Sequence, residues 1–146
     1  MTDVREDILA RLVLVAGTIP NIRSTERNNI AINEEDMPAA IVFDGDEETN
    51  AGTDTSTRPA NLPYSVRMTP AIEISAMSNA VGSDLSVLRR DLIKLVLYDS
   101  QLNAIVKSNG AIRYLGCQTD LQWMRTLNGV LRVQFLFNYK LKPDEL

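Results

Sequence analysis

Residues 131–141 read LRVQFLFNYKL, and the alternation of apolar and polar side chains in this stretch decides the class of fold. Side chains on a β-strand point to opposite faces in turn, so an alternation with a period of two predicts a long, half-buried strand. The dipeptide Asn128-Gly129 lies just before it and is typical of a tight type I′ turn. We therefore expect the residues up to Leu127 to form a hairpin with the strand that starts at Val130.

Three stretches earlier in the chain are also expected to be strands. Residues 39–43, AAIVF, are apolar at every position, which predicts a central strand buried on both faces. Residues 64–77 have strand character, and Pro70 within them indicates an edge position or a bulge, because proline cannot donate a hydrogen bond to a neighbouring strand. Residues 22–32 favour a short edge strand, although Asn28-Asn29 equally fits a turn.

Apolar residues at helical spacing predict three helices. Thr2 can cap the first helix, whose opening turn carries acids that favour the positive end of a helix dipole. The second begins at Gly82 or Ser83 and buries a stripe of leucines. A short third helix can be capped by Asp99 or Ser100.

The order of these elements predicts the architecture. With a further strand over residues 112–117, the chain runs helix, strands, helices, strands, without a repeating βαβ unit. This order favours an α+β fold in which helices pack on one face of an antiparallel or mixed sheet of four to five strands. A chain of 146 residues fits one domain, 1–146, and the polar stretch 44–61 is expected to be a long loop within it.

The charges are distributed unevenly along the chain, although the net charge is only −4. Residues 1–57 hold 12 acids and 4 bases, whereas residues 58–142 hold 5 acids and 11 bases. Halves of opposite sign can give a subunit one acidic and one basic surface, which suits head-to-tail contact between copies. The alternative is that the two halves interleave in the fold and the asymmetry disappears.

No combination of residues in the sequence predicts a catalytic or metal site. The chain has no histidine, which removes the commonest general base and metal ligand. Cys117 is the only cysteine and is expected to be a buried thiol instead of a nucleophile. The acidic segment that begins at Asp44 fails as a calcium-binding EF-hand, because Thr49 and Thr55 replace the required Gly and Glu. We expect no enzymatic activity, no metal and no cofactor.

The sequence also argues against a membrane span and against specific binding of nucleic acid. It contains no apolar run of about 18 residues. The second helix carries one basic patch, at Arg89, Arg90 and Lys94, but no aromatic platform on which bases could stack. Trp123 is a candidate anchor of a protein interface, since tryptophan is enriched in interface cores, and packing in the core is the alternative.

The chain resembles the tail terminator, or tail completion, proteins of tailed bacteriophages. The segments that carry the resemblance span nearly the whole chain: REDIL at 5–9, EDMPAAIV at 35–42, the long loop, MTPAIEI at 68–74, LRRDLI at 88–93 and RVQFLFNY at 132–139. The similarity lies in the order of elements and in their general character, because no catalytic motif is involved.

The resemblance implies a virion subunit that assembles in the cytoplasm of a bacterial host. Such a subunit forms a homo-oligomer, a hexameric ring, on the last ring of the tail tube protein. The ring stops tube growth and presents a surface to a neck or head-completion protein, and DNA passes through it without specific binding. The resemblance makes five carboxylates of the loop candidates for contact with the tube or for an acidic lumen: Asp44, Asp46, Glu47, Glu48 and Asp54. Candidate contacts between subunits are Arg89, Arg90, Trp123 and Arg125.

Two other functions remain open on the sequence. Another neck or head-tail connector subunit of the same virion would have the same small α/β construction. A small cellular ligand-binding module would use the long loop as a lid and would need a concave pocket.

Overall fold

The computed structural model describes residues 3–29, 32–49, 63–107, 111–123 and 127–146. Three helices and five strands follow one another in the order α1 (Val4–Gly17), β1 (Ser24–Arg27), β2 (Ala39–Thr49), β3 (Tyr64–Met77), α2 (Val81–Leu97), α3 (Ser100–Val106), β4 (Ile112–Trp123) and β5 (Leu127–Leu141). Short 3₁₀ turns at Glu34–Asp36 and Pro143–Glu145 complete the described chain.

The five strands form one mixed sheet in the order β1-β2-β3-β5-β4. Strands β1 and β2 run parallel, and all other neighbours run antiparallel. The core contains alternate residues of the inner strands together with the buried residues of all three helices. Because alternate strand residues share one face, the helices cover a single face of the sheet. The predicted α+β fold is confirmed, including the number of strands and the mixed sheet.

The helices begin where side chains can satisfy their free backbone N–H groups. Asp3 caps α1, its carboxylate accepting a hydrogen bond from the Arg5 N–H at 3.1 Å. The predicted cap, Thr2, lies outside the described residues. Asp99 caps α3 as predicted and accepts from the Leu102 N–H at 2.9 Å. A carboxylate at this position also interacts favourably with the helix dipole.

Strand β2 is more than twice as long as the apolar stretch that predicted it. It continues through residues 44–49, of which residues 46–49 pair with residues 66–69 of β3. The prediction of a loop over 44–61 is therefore wrong for residues 44–49, while residues 50–62 lie outside the described part of the chain. This end of β2 was not predicted because it consists largely of carboxylates, and an exposed strand end needs no apolar side chains. We call residues 46–49, together with residues 64–69 of β3, the arm.

Pro70 lies in the central strand of the sheet, so the predicted edge position is wrong and the predicted bulge is right. The register between β2 and β3 shifts by one residue between Phe43 and Asp46. Gly45 sits in this bulge with φ of 70°, and a Cβ there would lie 2.1 Å from the Thr69 carbonyl oxygen. Only glycine fits, because its backbone tolerates positive φ and must pass very close to β3.

The predicted turn at Asn128-Gly129 is wrong, although the hairpin itself is present. Both residues belong to β5 and pair with Gln122 and Leu121 of β4, so the connection falls at residues 124–126, outside the described residues. The role of Gly129 is instead to allow close packing between β5 and α2. A Cβ at this position would lie 2.7 Å from Leu85 Cδ1 of α2, so glycine lets the helix approach the strand closely.

Candidate interaction surfaces

The carboxylates of β2 that were predicted to contact a partner divide into two pairs. Asp44 accepts hydrogen bonds from Arg27, and Glu47 accepts one from the hydroxyl of Tyr139. Burial, followed by the bond to Glu47, raises the pKa of Tyr139. Asp44 and Glu47 are therefore engaged within the subunit.

Asp46 and Glu48 are the two exposed carboxylates on the helix-free side of the arm. They lie opposite Thr69 and Arg67 of β3 and alternate with Glu47, which shares the face of the buried Met68. Alternation along a strand therefore directs Asp46 and Glu48 away from the helices. The fifth predicted residue, Asp54, lies outside the described residues.

Arg27 binds two carboxylates at once. Its guanidinium donates to Asp44 at 2.8 and 3.1 Å and to Glu6 of α1 at 2.6 and 3.0 Å. The hydrogen bonds from Arg27 lower the pKa values of both Glu6 and Asp44, and the two carboxylates raise that of Arg27. Paired bonds of this kind fix direction as well as distance. The cluster therefore ties α1, β1 and the bulge of β2 together at the base of the arm.

A second ion pair joins the first helix to the third. Arg11 of α1 donates to both oxygens of Asp99, from Nη2 at 2.7 Å and from Nε at 3.0 Å. The bond from Arg11 is the main cause of the lowered pKa of Asp99, and the Leu102 N–H lowers it further. Asp99 thus caps α3 and anchors it to α1.

The basic residues predicted to contact a neighbouring subunit have different environments. Arg89 lies over the ring of Tyr114 in β4 and donates to its hydroxyl at 3.0 and 3.1 Å, which raises the pKa of Arg89. Arg90 is exposed, 3.5 Å from Asp91. The backbone of Trp123 ends β4, but its side chain lies outside the described part of the structure, as does all of Arg125.

The charge asymmetry of the sequence persists in the fold. The acidic part of the chain supplies β1 and β2 at one side of the sheet, and the basic part supplies β5 and β4 at the other. Three of the four bases in residues 3–49 form ion pairs, namely Arg5, Arg11 and Arg27. The acidic side retains exposed carboxylates: Asp3, Glu26, Glu34, Glu35, Asp36, Asp46 and Glu48. The remainder of the described chain carries seven exposed cations, Arg67, Arg90, Lys94, Lys107, Arg113, Lys140 and Lys142, against three exposed carboxylates, Asp84, Asp120 and Asp144.

The concave features of the described surface include three recesses. One of about 430 Å³ lies beside Tyr98 at the end of α2, and one of about 310 Å³ lies between α2 and the end of β3. The third, of about 220 Å³, lies beside Arg132, where a bulge at Leu115 shifts the register between β4 and β5. No group of three or more candidate metal ligands occurs among the described residues.

The chain matches no protein-family model and no curated protein. Within the described residues, no helix is long and apolar enough to cross a membrane.

The ion pairs of Arg27 and Arg11 escaped prediction, and so did the bond between Glu47 and Tyr139. Their partners are 17 to 92 residues apart in sequence, so no local spacing marks them. The acidic opening turn of α1 gives one partial signal, since Glu6 lies in it. Only the fold brings these partners together.

Proposed function

We propose that this chain is a virion structural protein, a ring-forming tail terminator that caps the tail tube, stops its growth and offers a surface for joining to the head or neck. The observation that carries the proposal is the separation of charge across the sheet. A subunit with unlike surfaces on two sides can bind copies of itself head to tail, and such contacts close into a ring when the rotation between neighbours allows it.

The charges on the two surfaces would determine how neighbouring subunits are oriented. The acidic surface around β1 of one subunit would face the basic surface around α2 and β4 of the next, with Arg90 as an exposed cation on the basic side. Complementary charge steers encounter and disfavours wrong orientations. Contacts between partly exposed charges weaken as salt screens them, so the ring should be less stable at high ionic strength.

The arm is the part of the subunit best suited to reach the tube. Among the described residues, its carboxylates Asp46 and Glu48 take no part in the ion pairs that hold Asp44. The Arg27 cluster fixes the base from which the arm extends. In the ring, these two side chains would contact the last ring of the tube or line the lumen. An acidic lumen lets DNA pass by repelling its phosphates.

Electron microscopy of tail tubes mixed with the purified chain tests the proposal. We expect a ring at one end of each tube and none along its side. Binding to the neck without binding to bare tubes would instead identify another connector subunit of the virion. A monomer that ignores both tubes and necks, but binds a small molecule in one of the recesses, would contradict the proposal.

A further inference from the structure

Strand β4 is a long, exposed edge of the sheet. The opposite edge, β1, has only four residues, whereas β4 has twelve, from Ile112 to Trp123. Leu115 and Leu121 leave 48% and 47% of their surfaces exposed. An edge strand presents unpaired backbone groups that can bind another strand, and β4 carries only two charged residues to discourage this.

The backbone direction of β4 can be assigned from its pairing with β5. The Asn138 N–H donates to the Ala111 carbonyl at 2.9 Å, so the backbone groups of Ala111 point towards β5. In a strand these directions alternate, and those of Ile112 and Tyr114 therefore point outwards. Leu115 is an extra residue in β4, a bulge that shifts the register with β5 between Tyr114 and Gly116. Beyond this bulge, the same alternation counted along β5 directs Thr119 and Leu121 outwards.

These outward groups are self-complementary in one antiparallel arrangement of two copies. When Ile112 lies opposite Leu121 of the second copy, Tyr114 lies opposite its Thr119, and all four residues direct backbone groups across the contact. The bulge at Leu115 falls at the centre. On each side of the centre, residues 112–114 of one copy pair with residues 119–121 of the other. A two-fold axis relates these two ladders.

The charges and the apolar character of the β4 side chains favour the same register. Arg113 and Asp120, the only charged residues of β4, pair with Leu136 and Val130 of β5 on the helix-free face. In the register above they lie opposite each other twice, as unlike charges on the same side. Ile112 and Leu121 meet on the other face, where Leu121 lies beside α2. Pairs of this kind are what stabilise neighbouring strands.

We infer that the free protein forms a two-fold dimer in which β4 pairs antiparallel with β4 of a second copy, with Arg113 of each copy facing Asp120 of the other. The inference does not rest on the proposed function. A head-to-tail ring uses unlike surfaces, whereas this contact uses the same surface twice and closes after two copies. If both contacts exist, the dimer opens before the subunits enter a cyclic ring.

Charge exchange tests the register. Sedimentation of the wild-type chain, at concentrations up to about 1 mM where weak contacts are populated, should show a dimer. Arg113→Asp and Asp120→Arg should each weaken it by on the order of ten- to a hundredfold, because each places like charges opposite each other twice. Mixing these two variants should restore a dimer, since the mixed pair contains only unlike contacts. Lys94→Glu, a charge reversal on α2, should leave dimerisation unchanged.

Cys117 provides a second readout that needs no substitution. It is exposed, so the predicted burial of this thiol is wrong. It is the only cysteine of the chain, and the two-fold axis would pass between Gly116 and Cys117. A short bis-maleimide should therefore link two wild-type chains, and the Arg113→Asp variant should link poorly. A wild-type monomer at every concentration would overturn the inference. So would a dimer that neither links through Cys117 nor responds to the charge exchange, and either result leaves the proposed ring intact.

Discussion

Arg27 and Asp44 are joined by two hydrogen bonds, from Nε at 2.8 Å and from Nη2 at 3.1 Å, and Asp44 directly precedes the glycine of the β2 bulge. The same guanidinium holds Glu6 of α1. The direction of the arm is thus set where a helix, an edge strand and the bulge meet. Asp44, although first predicted as a contact residue, holds the arm in place.

Replacing Arg27 by methionine should destabilise the protein by about 1–3 kcal/mol, because it removes the charged hydrogen bonds and leaves Asp44 without them. Urea unfolding followed by circular dichroism measures the loss. Arg90→Met removes a charge from an exposed side chain and should change stability by no more than about 0.5 kcal/mol. Equal losses in the two variants would show that the cluster contributes little.

Asp99→Asn and Asp99→Ala should separate the two roles of this side chain. Asparagine can still cap α3 but loses the ion pair with Arg11, whereas alanine loses both, so alanine should be the less stable by about 1 kcal/mol. The comparison is made by unfolding both variants at neutral pH. Indistinguishable variants would contradict the capping role.

The ion pair of Asp99 also predicts a dependence on pH. Its pKa is lower in the folded protein, so the stabilisation is complete above the ordinary carboxylate pKa of about 4 and is lost as the pH falls through the lowered value. Asp44 behaves in the same way. Wild-type stability should therefore fall more steeply under acid than that of Asp99→Asn. Parallel acid profiles would contradict this.

Gly45→Ala should destabilise the protein by about 2 kcal/mol or more, since its Cβ would collide with the Thr69 carbonyl and its φ is positive. Gly82→Ala is the matched control. A Cβ at Gly82 has no atom within 4 Å, and alanine favours the helix, so stability should stay the same or rise by up to about 1 kcal/mol. Thermal unfolding measures the stability of both variants. An unchanged stability of Gly45→Ala would show that the bulge is not rigid.

Asp46→Asn combined with Glu48→Gln should leave folding intact and reduce ring formation on tail tubes, because these carboxylates face outwards from the arm. Counting capped tube ends in micrographs measures the effect. Asp7→Asn combined with Asp144→Asn removes the same charge elsewhere and should cap normally. Normal capping by both double variants would show that these carboxylates of the arm are not part of the proposed contact with the tube.

The sequence predicts those parts of the fold in which one side of an element is buried. The alternation over 131–141 identifies β5, and the leucine stripe identifies α2. The distal half of β2 could not be predicted from the sequence, because Asp46 and Glu48 occupy positions that need no burial. Pro70 indicates an edge when taken alone, but the bulge at Gly45 accommodates it in the centre. Asn128-Gly129 fits a turn locally, yet close packing under Leu85 also requires a small residue.

The candidate surfaces were predictable only in part. Runs of acids and bases are visible in the sequence, and the strand order keeps them apart. Which carboxylates are already bound is not visible, because Arg27 and Tyr139 reach theirs from distant elements. The edge contact of β4 also needs the structure, since its register follows from the backbone direction at Ala111.

Tube length tests the central claim most directly. Tail tube protein is allowed to polymerise with increasing amounts of the chain, and tube lengths are measured in micrographs. A terminator should shorten the tubes progressively and appear as one ring per capped end, whatever the length of the tube. Unchanged lengths, with the chain absent from tube ends at every ratio, would contradict the account.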